Sequence, residues 1–475
     1  MMSAPEPSDS PASAESNSTS IPYPSERYAW YVVIILMIVY VFSFVDRQIL
    51  SLLVDPIKAD LGLSDTQISY LGGFTFALFY TFFGIPIARW ADSKNRTVLI
   101  TVGLAVWRFF TMLCGTASRF WTFAFYRMGV GVGEATLSPS AYSIITDMFR
   151  PERLAVAISL YSAGIYIGSG LAQVFGGIVI GFAVSARELT VHFMGPVAPW
   201  QYVFFAVGFP GLLFTLALLT VREPVRRNRS KSDPSKVIQP PPISEVAAYI
   251  RANSRTFLFH NLGIAFTSFV SYGAAYWVPS YLIRVHGLSA QETGIYYGWV
   301  VVIFGTAGIV LGGYLADILT QRGKAEAKMQ VAMGGALLGV PFSILYPLMP
   351  TPTAALLALC PAAFAAAMPL GVAAAAIQQI MPANMRAQGS ALYLFVINLI
   401  GLGLGPSAVA WCTDYVFQDP NKVNLSLMWV GTFFGLLSAG LLYFGSKHYQ
   451  STLSYLEAYN EKQMALHARG HGDVV

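Results

Sequence analysis

The sequence predicts an all-α membrane protein with twelve transmembrane helices in two six-helix halves. Composition, the length of the apolar runs and an internal repeat point to it. Of 475 residues, 55% are hydrophobic and only 11% are charged, against roughly 25% charged residues in a soluble domain. A helix needs about 20 apolar residues to cross about 30 Å of hydrocarbon. Such runs fall near 29–53, 66–88, 97–117, 120–145, 154–180, 201–221, 256–283, 290–316, 329–349, 353–380, 387–412 and 425–446. Gly62-Leu63-Ser64 recurs as Gly287-Leu288-Ser289, Gly73 as Gly298, and Ala91-Asp92 as Ala316-Asp317, all at an offset of 225. Later, Arg153, Gly168 and Gly170 recur as Arg386, Gly401 and Gly403 at an offset of 233. Two six-helix repeats explain both registers.

Five segments follow. Residues 1–26 are rich in Ser, Pro and acidic side chains and lack the apolar core of a cleaved signal, so a disordered cytoplasmic tail is expected. Residues 27–221 form the N-terminal half, 222–255 a linker, 256–446 the C-terminal half and 447–475 a cytoplasmic tail. In the linker, Ile243, Val246, Ala247 and Ile250 recur at helical spacing after Pro240-Pro241-Pro242, which predicts a short amphipathic helix acting as a brace.

Lys and Arg fix the orientation. With the amino terminus inside, 21 of them fall in cytoplasmic segments and 5 in external ones, so both termini are expected in the cytoplasm. The net charge of +5 is therefore a topology signal, and no nucleic-acid partner is expected. Cys114, Cys360 and Cys412 are scattered singly, which implies neither a disulfide framework nor a metal site, and no cofactor is expected.

Asp46, Arg47, Arg108, Arg127 and Glu134 lie inside predicted helices. A charge at mid-helix costs about 2.5–3.5 kcal/mol on insertion scales, so these groups need mutual pairing or a wet cavity. Helical rise puts Asp46 about 12 Å, Arg127 about 10 Å and Glu134 about 21 Å below the outer membrane edge, with Arg108 near the first two. Arg127 and Glu134 share one helix face, being rotated by only about 20°. Asp46 and Arg47 are about 100° apart and cannot point the same way. A closed salt-bridge network that merely joins helices is the competing explanation, and Arg108 could instead reach outward by snorkelling.

FVDRQILSLL at 44–53, ARWADSKNR at 88–96 and YRMGVGVGEATLSPSAYSIITDMF at 126–149 resemble the major facilitator superfamily and, within it, the spinster family. The superfamily pattern covers nearly the whole chain, whereas the spinster-specific part rests on the first and fourth spans. The resemblance implies spans 1, 4, 7 and 10 around a central cavity, proton-coupled transport, and lysophospholipid or sphingosine-phosphate substrates in animal relatives. It also implies a cytoplasmic latch between the halves, for which Asp92, Arg96, Arg153 and Asp317 are the candidates. The loop departs from the superfamily pattern at Ala88 and Asn95, where glycines are usual. Independently of the family, Asp92 could simply cap the third helix.

The expected function is secondary active transport by alternating access, proton-coupled, of a small amphipathic or anionic solute such as a lysophospholipid or sphingoid phosphate. Glu134 is the first candidate proton carrier and Asp46 the second, because a moving arginine would switch a carboxylate's proton affinity. Arg127 and Arg47 are the candidate anion contacts, since guanidinium binds phosphate or carboxylate in bidentate fashion. Tyr272, Tyr276, Gln378 and Asn398 are candidate cavity-lining groups. Trp277 and Tyr281 suit an interfacial aromatic belt. Organic-acid or sugar transport on the same fold, and a transport-dead sensor, are the alternatives. An intramembrane enzyme is not expected, because the six histidines fall in loops, tails or at a helix end. The chain is expected to act as a monomer in the lipid bilayer of a bacterial inner membrane, with a small-molecule or lysolipid substrate and protons as its partners.

Overall fold

The computed structural model describes residues 22–186, 190–191, 195–226, 241–382 and 384–470. Most of the expected amino-terminal tail and the basic stretch 227–240 lie outside the described residues. By length and composition ten helices can cross a membrane: Glu26–Leu52, Asp65–Ala91, Arg96–Cys114, Val156–Ser185, Pro199–Leu218, Ala290–Gln321, Ala327–Leu348, Pro352–Gln379, Gln388–Phe417 and Pro420–Gln463. The fourth and seventh of the twelve spans escape that test for different reasons. Span 4 is broken into Phe120–Glu134 and Leu137–Met148, and at the break the Thr136 hydroxyl donates to the Gly133 carbonyl at 2.9 Å. Span 7, Ser254–Arg284, is 31 residues long, but His260, Asn261, Ser268 and Ser271 dilute its hydropathy. Span 12 runs without a break to Gly470, so the predicted tail continues the last helix.

The repeat-related glycines sit where the two halves meet. A Cβ on Gly298 of span 8 would stand 2.7 Å from the Gly170 carbonyl of span 5, and one on Gly73 of span 2 would stand 3.0 Å from the Leu402 carbonyl of span 11. Only glycine permits so close an approach of two backbones. Spans 2, 8 and 11 each contain a wide π turn at this level, at Tyr70–Phe74, Val301–Gly305 and Ile397–Leu404. Such turns mark helices that bend or part.

The apolar core shows which side is closed. Away from the linker, one continuous cluster joins Ile57, Ile68 and Trp200 of the N-terminal half to Trp277, Tyr281 and Val423 of the C-terminal half. On the linker side the core splits in two. One cluster, from Ala29 to Val221, belongs to the N-terminal half apart from Leu402. The other, from Val246 to Tyr449, belongs to the linker and the C-terminal half. The halves are thus sealed on the far side and separately packed on the linker side.

The linker helix forms at Ile243–Ala252, as its spacing predicts, but it buries Val246 and Tyr249 while Ile243 is exposed. Tyr249 docks it by donating to the carbonyl of Ile380, at the end of span 10, at 2.8 Å. Tyr459, on the extension of span 12, donates to Glu245 at 2.7 Å.

Candidate functional site

The intramembrane charges resolve into two ion pairs and one solitary arginine. Asp46 and Arg47 diverge, as neighbours on a helix must. Arg47 bonds to Glu134, which also accepts from the Ser43 hydroxyl, one turn before Arg47, at 2.7 Å. Glu134 ends the first segment of span 4, the negative end of a helix dipole, where a carboxylate needs a cationic partner. Asp46 points the other way and accepts from Arg108 at 3.0 Å. Arg127 serves backbone instead: its Nε donates to the Leu71 carbonyl at 3.1 Å and its Nη1 to the Asp46 carbonyl at 3.2 Å. The shared depth of Asp46, Arg108 and Arg127 read from helical rise is therefore present. Snorkelling of Arg108 is not, since its side chain is fully buried.

Rings hold the Arg47 guanidinium in place, with the centres of Phe76, Tyr80 and Phe44 at 4.8, 4.9 and 5.3 Å. Arg47 is 10% exposed, whereas Glu134 is 1% exposed. With Phe44, Gln48, Tyr272 and Tyr276 it lines a narrow throat. Phe44, Gln48 and Tyr272 also line a far larger chamber, so the two spaces adjoin across these side chains. The chamber holds about 1400 Å³ of empty volume, part of it open to solvent. It reaches into the C-terminal half between spans 7, 9, 10 and 12, where Gly335, Gly339, Ala362, Ala366, Gly431 and Gly435 leave room. Small residues on facing helices make this space, because each lacks the side chain that would fill it.

The structure brings Asp46, Arg47, Arg127, Glu134, Tyr272 and Tyr276 into one region but gives them unequal access. Arg127 is 1% exposed and lines neither the throat nor the chamber, whereas Arg47 lines the throat. Gln378 is exposed and Asn398 half-buried, and neither lines the chamber; helical spacing alone could not tell which face of spans 10 and 11 looks inward. Trp277 and Tyr281 are fully buried rather than interfacial, and donate to the carbonyls of Pro406 and Tyr346 at 2.8 and 2.6 Å. His260 is buried in span 7, with its ring centre 5.7 Å from that of Tyr393, not at an accessible helix end. Gln48 and Gln173, whose amides lie 3.3 Å apart on the chamber wall, gave no signal beyond being polar residues in apolar runs.

The latch candidates also separate. Arg96 is fully buried and donates to Asp147 and, at 2.7 Å, to Glu223. These partners lie at the end of span 4 and just past span 6, so Arg96 ties helix ends within the N-terminal half rather than between halves. Arg153 pairs with Glu26 at the exposed start of span 1, 2.7 Å away, again inside one half. Asp317 is exposed, and the side chain of Asp92 lies outside the described set. The cap of the third helix is Asn95, which accepts from the Val98 amide at 2.9 Å, not Asp92.

Contacts between halves instead gather on the far side. Arg284, the last residue of span 7, donates to Asp55 at 2.6 Å and to Asp65 at 2.7 Å. Lys58 also bonds to Asp65. The Thr66 amide donates to Asp414 of span 11 at 2.6 Å, and Tyr276 donates to the Ile68 carbonyl at 3.1 Å. Sequence could not pair Arg284 with acids 219 and 229 residues away.

Two six-helix halves, sealed on one side around an internal cavity, define a membrane transporter. The Major Facilitator Superfamily pattern matches residues 36–406. A crystal structure of a bacterial homologue of the human lysosomal transporter spinster, inward-facing and unoccupied, superposes with a TM-score of 0.77 at 30% identity, covering 90% of this chain and 99% of that one. An MFS-type efflux pump of Mycolicibacterium smegmatis is 28% identical over 396 residues, 83% of this chain and 86% of its own. A probable L-galactonate transporter of Escherichia coli is 24% identical over 363 residues, 70% of this chain and 74% of its own. The chain belongs to the Major Facilitator Superfamily and, within it, to the spinster-type transporters.

Proposed function

We propose that the protein carries an anionic amphipathic solute, of the lysophospholipid or sphingoid-phosphate class, together with a proton. The observation that supports this most is the adjacency of a charged throat at Arg47 to a chamber walled by glycine, alanine and aromatic side chains, with Phe44, Gln48 and Tyr272 lining both. A charged head and an apolar tail would each find its solvent there. An organic acid or sugar needs polar groups all round, and the C-terminal wall of the chamber offers few.

Coupling follows from the shared arginine. Arg47 is the cation nearest an arriving anion and also the partner of Glu134. An anion that draws the guanidinium away leaves Glu134 buried without a counter-charge, and a buried carboxylate so exposed is neutralised by a proton. Anion and proton then load together, and the neutralised site favours closure on the linker side and parting of the far side. The distribution of Lys and Arg supports a cytoplasmic linker side, which makes the described conformation inward-facing. Arg127 organises the site through backbone carbonyls, and Asp46 stands outside the exchange.

Proteoliposomes with an imposed pH gradient test this, with lysophosphatidate as the probe. Wild-type protein should accumulate the probe above its equilibrium level, while Glu134→Gln should only equilibrate it. Undiminished accumulation by Glu134→Gln would remove the carrier role from this residue.

A further inference from the structure

The Asp46–Arg108 pair differs from Arg47–Glu134 in one respect that matters for proton traffic: nothing can reach it. Both side chains are fully buried, and neither lines the throat or the chamber. The Arg108 guanidinium packs on the Phe42 ring, 4.8 Å from its centre, and its Nη1 also lies 3.4 Å from the Val207 carbonyl of span 6. A Cβ on Gly211 of span 6 would stand 2.2 Å from Arg108 Nε, so that glycine opens the slot the arginine occupies. Arg108 Nε and Nη2 and Asp46 Oδ2 are buried without hydrogen-bond partners. Unfilled buried donors are costly, and an apolar side chain of similar volume would pack there at lower cost. Packing alone does not account for an arginine in this slot.

Asp46 is surrounded on every side. Span 3 faces it with Arg108, Thr111 and Cys114, and span 4 with Arg127 and Glu134. Arg47 follows it on span 1 but turns away to Glu134. Two carboxylates thus share one electrostatic neighbourhood, and only one of them has a counter-ion that a substrate can pull away. We propose that Arg108 is a positioning residue for proton coupling: by holding Asp46 in a closed ion pair inside the N-terminal half, it confines proton exchange to Glu134. This rests on the carrier role of Glu134 proposed above.

Infrared difference titration of the purified full-length chain tests it without any substrate, by following the C=O band of protonated buried carboxyls. Of the two carboxyls Asp46 and Glu134, wild-type protein should show the transition of one, lost in Glu134→Gln and retained in Asp46→Asn. Arg108→Gln should add a second transition, which disappears in the double variant Asp46→Asn/Arg108→Gln. That double variant leaves no unpaired charge in the slot and should recover the wild-type profile, an outcome a purely structural role for Arg108 does not produce. Should Arg108→Gln fail to fold, Gly211→Ala displaces the guanidinium without removing it and should add the same second transition. A folded Arg108→Gln or Gly211→Ala protein with the single wild-type transition would overturn the inference while leaving Glu134 in place. Survival of the wild-type transition in Glu134→Gln would instead overturn the carrier role itself.

Discussion

Arg284 is one side chain holding two carboxylates of the opposite half, at the point where the far side must part for a substrate to pass. Its side chain is 7% exposed, that of Asp65 is fully buried and that of Asp55 is 38% exposed. Breaking a fully buried pair costs roughly 3–5 kcal/mol. Discounted for the exposure of Asp55, about 2 kcal/mol of the closed state should be lost in Arg284→Ala, roughly a thirtyfold shift toward opening. A cysteine at Ser407, which is buried beside Ser69, should then react with a membrane-impermeant thiol reagent from the far side many times faster than in the Arg284 background; an unchanged rate would show that the ion pairs do not hold the gate. At this scale, legibility in the sequence follows distance along the chain. The divergence of Asp46 from Arg47 and the level shared by Asp46, Arg108 and Arg127 were readable, because helical rise and rotation fix them. The inward faces of spans 10 and 11 were not, because packing among neighbours rotates a helix, and Gln378 and Asn398 lie off the chamber wall. The Arg284 pairs depend on the conformational state as well as the fold, so no local pattern announces them.

Helices part where their backbones touch most closely and their hydrogen-bond ladders are least regular. The Gly170–Gly298 crossing and the π turns at Tyr70–Phe74, Val301–Gly305 and Ile397–Leu404 lie along the two seams between halves. A leucine at 298 has no room while Gly170 is opposite, because even its Cβ would crowd the Gly170 carbonyl. Gly298→Leu is therefore expected to open the far side and to slow transport at least severalfold, with little loss of helix content by circular dichroism. Gly440, where a Cβ would meet nothing within 4 Å, should tolerate the same change. An equal loss of transport at both positions would mean that the seam has no special role. These glycines were legible as an internal repeat before any contact was known, since both copies need the same close approach. The π turns were not legible, and neither was the break in span 4, because apolar residues continue on both sides of Glu134 and Thr136 and the stretch reads as one span. The linker helix was placed correctly by its spacing, yet its buried face was misjudged, because Tyr249 is held by a carbonyl on span 10 that periodicity cannot foresee.

The whole molecule combines a far side with one shared apolar core and a linker side with two separate ones. That asymmetry is what a rocking pair of halves must have in either end state. The composition and the twelve apolar runs gave the architecture at once, because hydrocarbon thickness sets the length of every span. The chamber was less visible: glycines and alanines in spans 9, 10 and 12 look like packing residues until their facing helices are known. Transport as proposed here depends on a single exchange, in which an anionic head takes Arg47 and Glu134 takes a proton. Adding lysophosphatidate to purified protein in weakly buffered solution with a pH indicator measures it directly. Proton uptake on binding is expected in the wild type and none in Glu134→Gln, with L-galactonate producing little response in either. Binding of lysophosphatidate with no proton uptake, or a larger uptake with L-galactonate, would contradict the account.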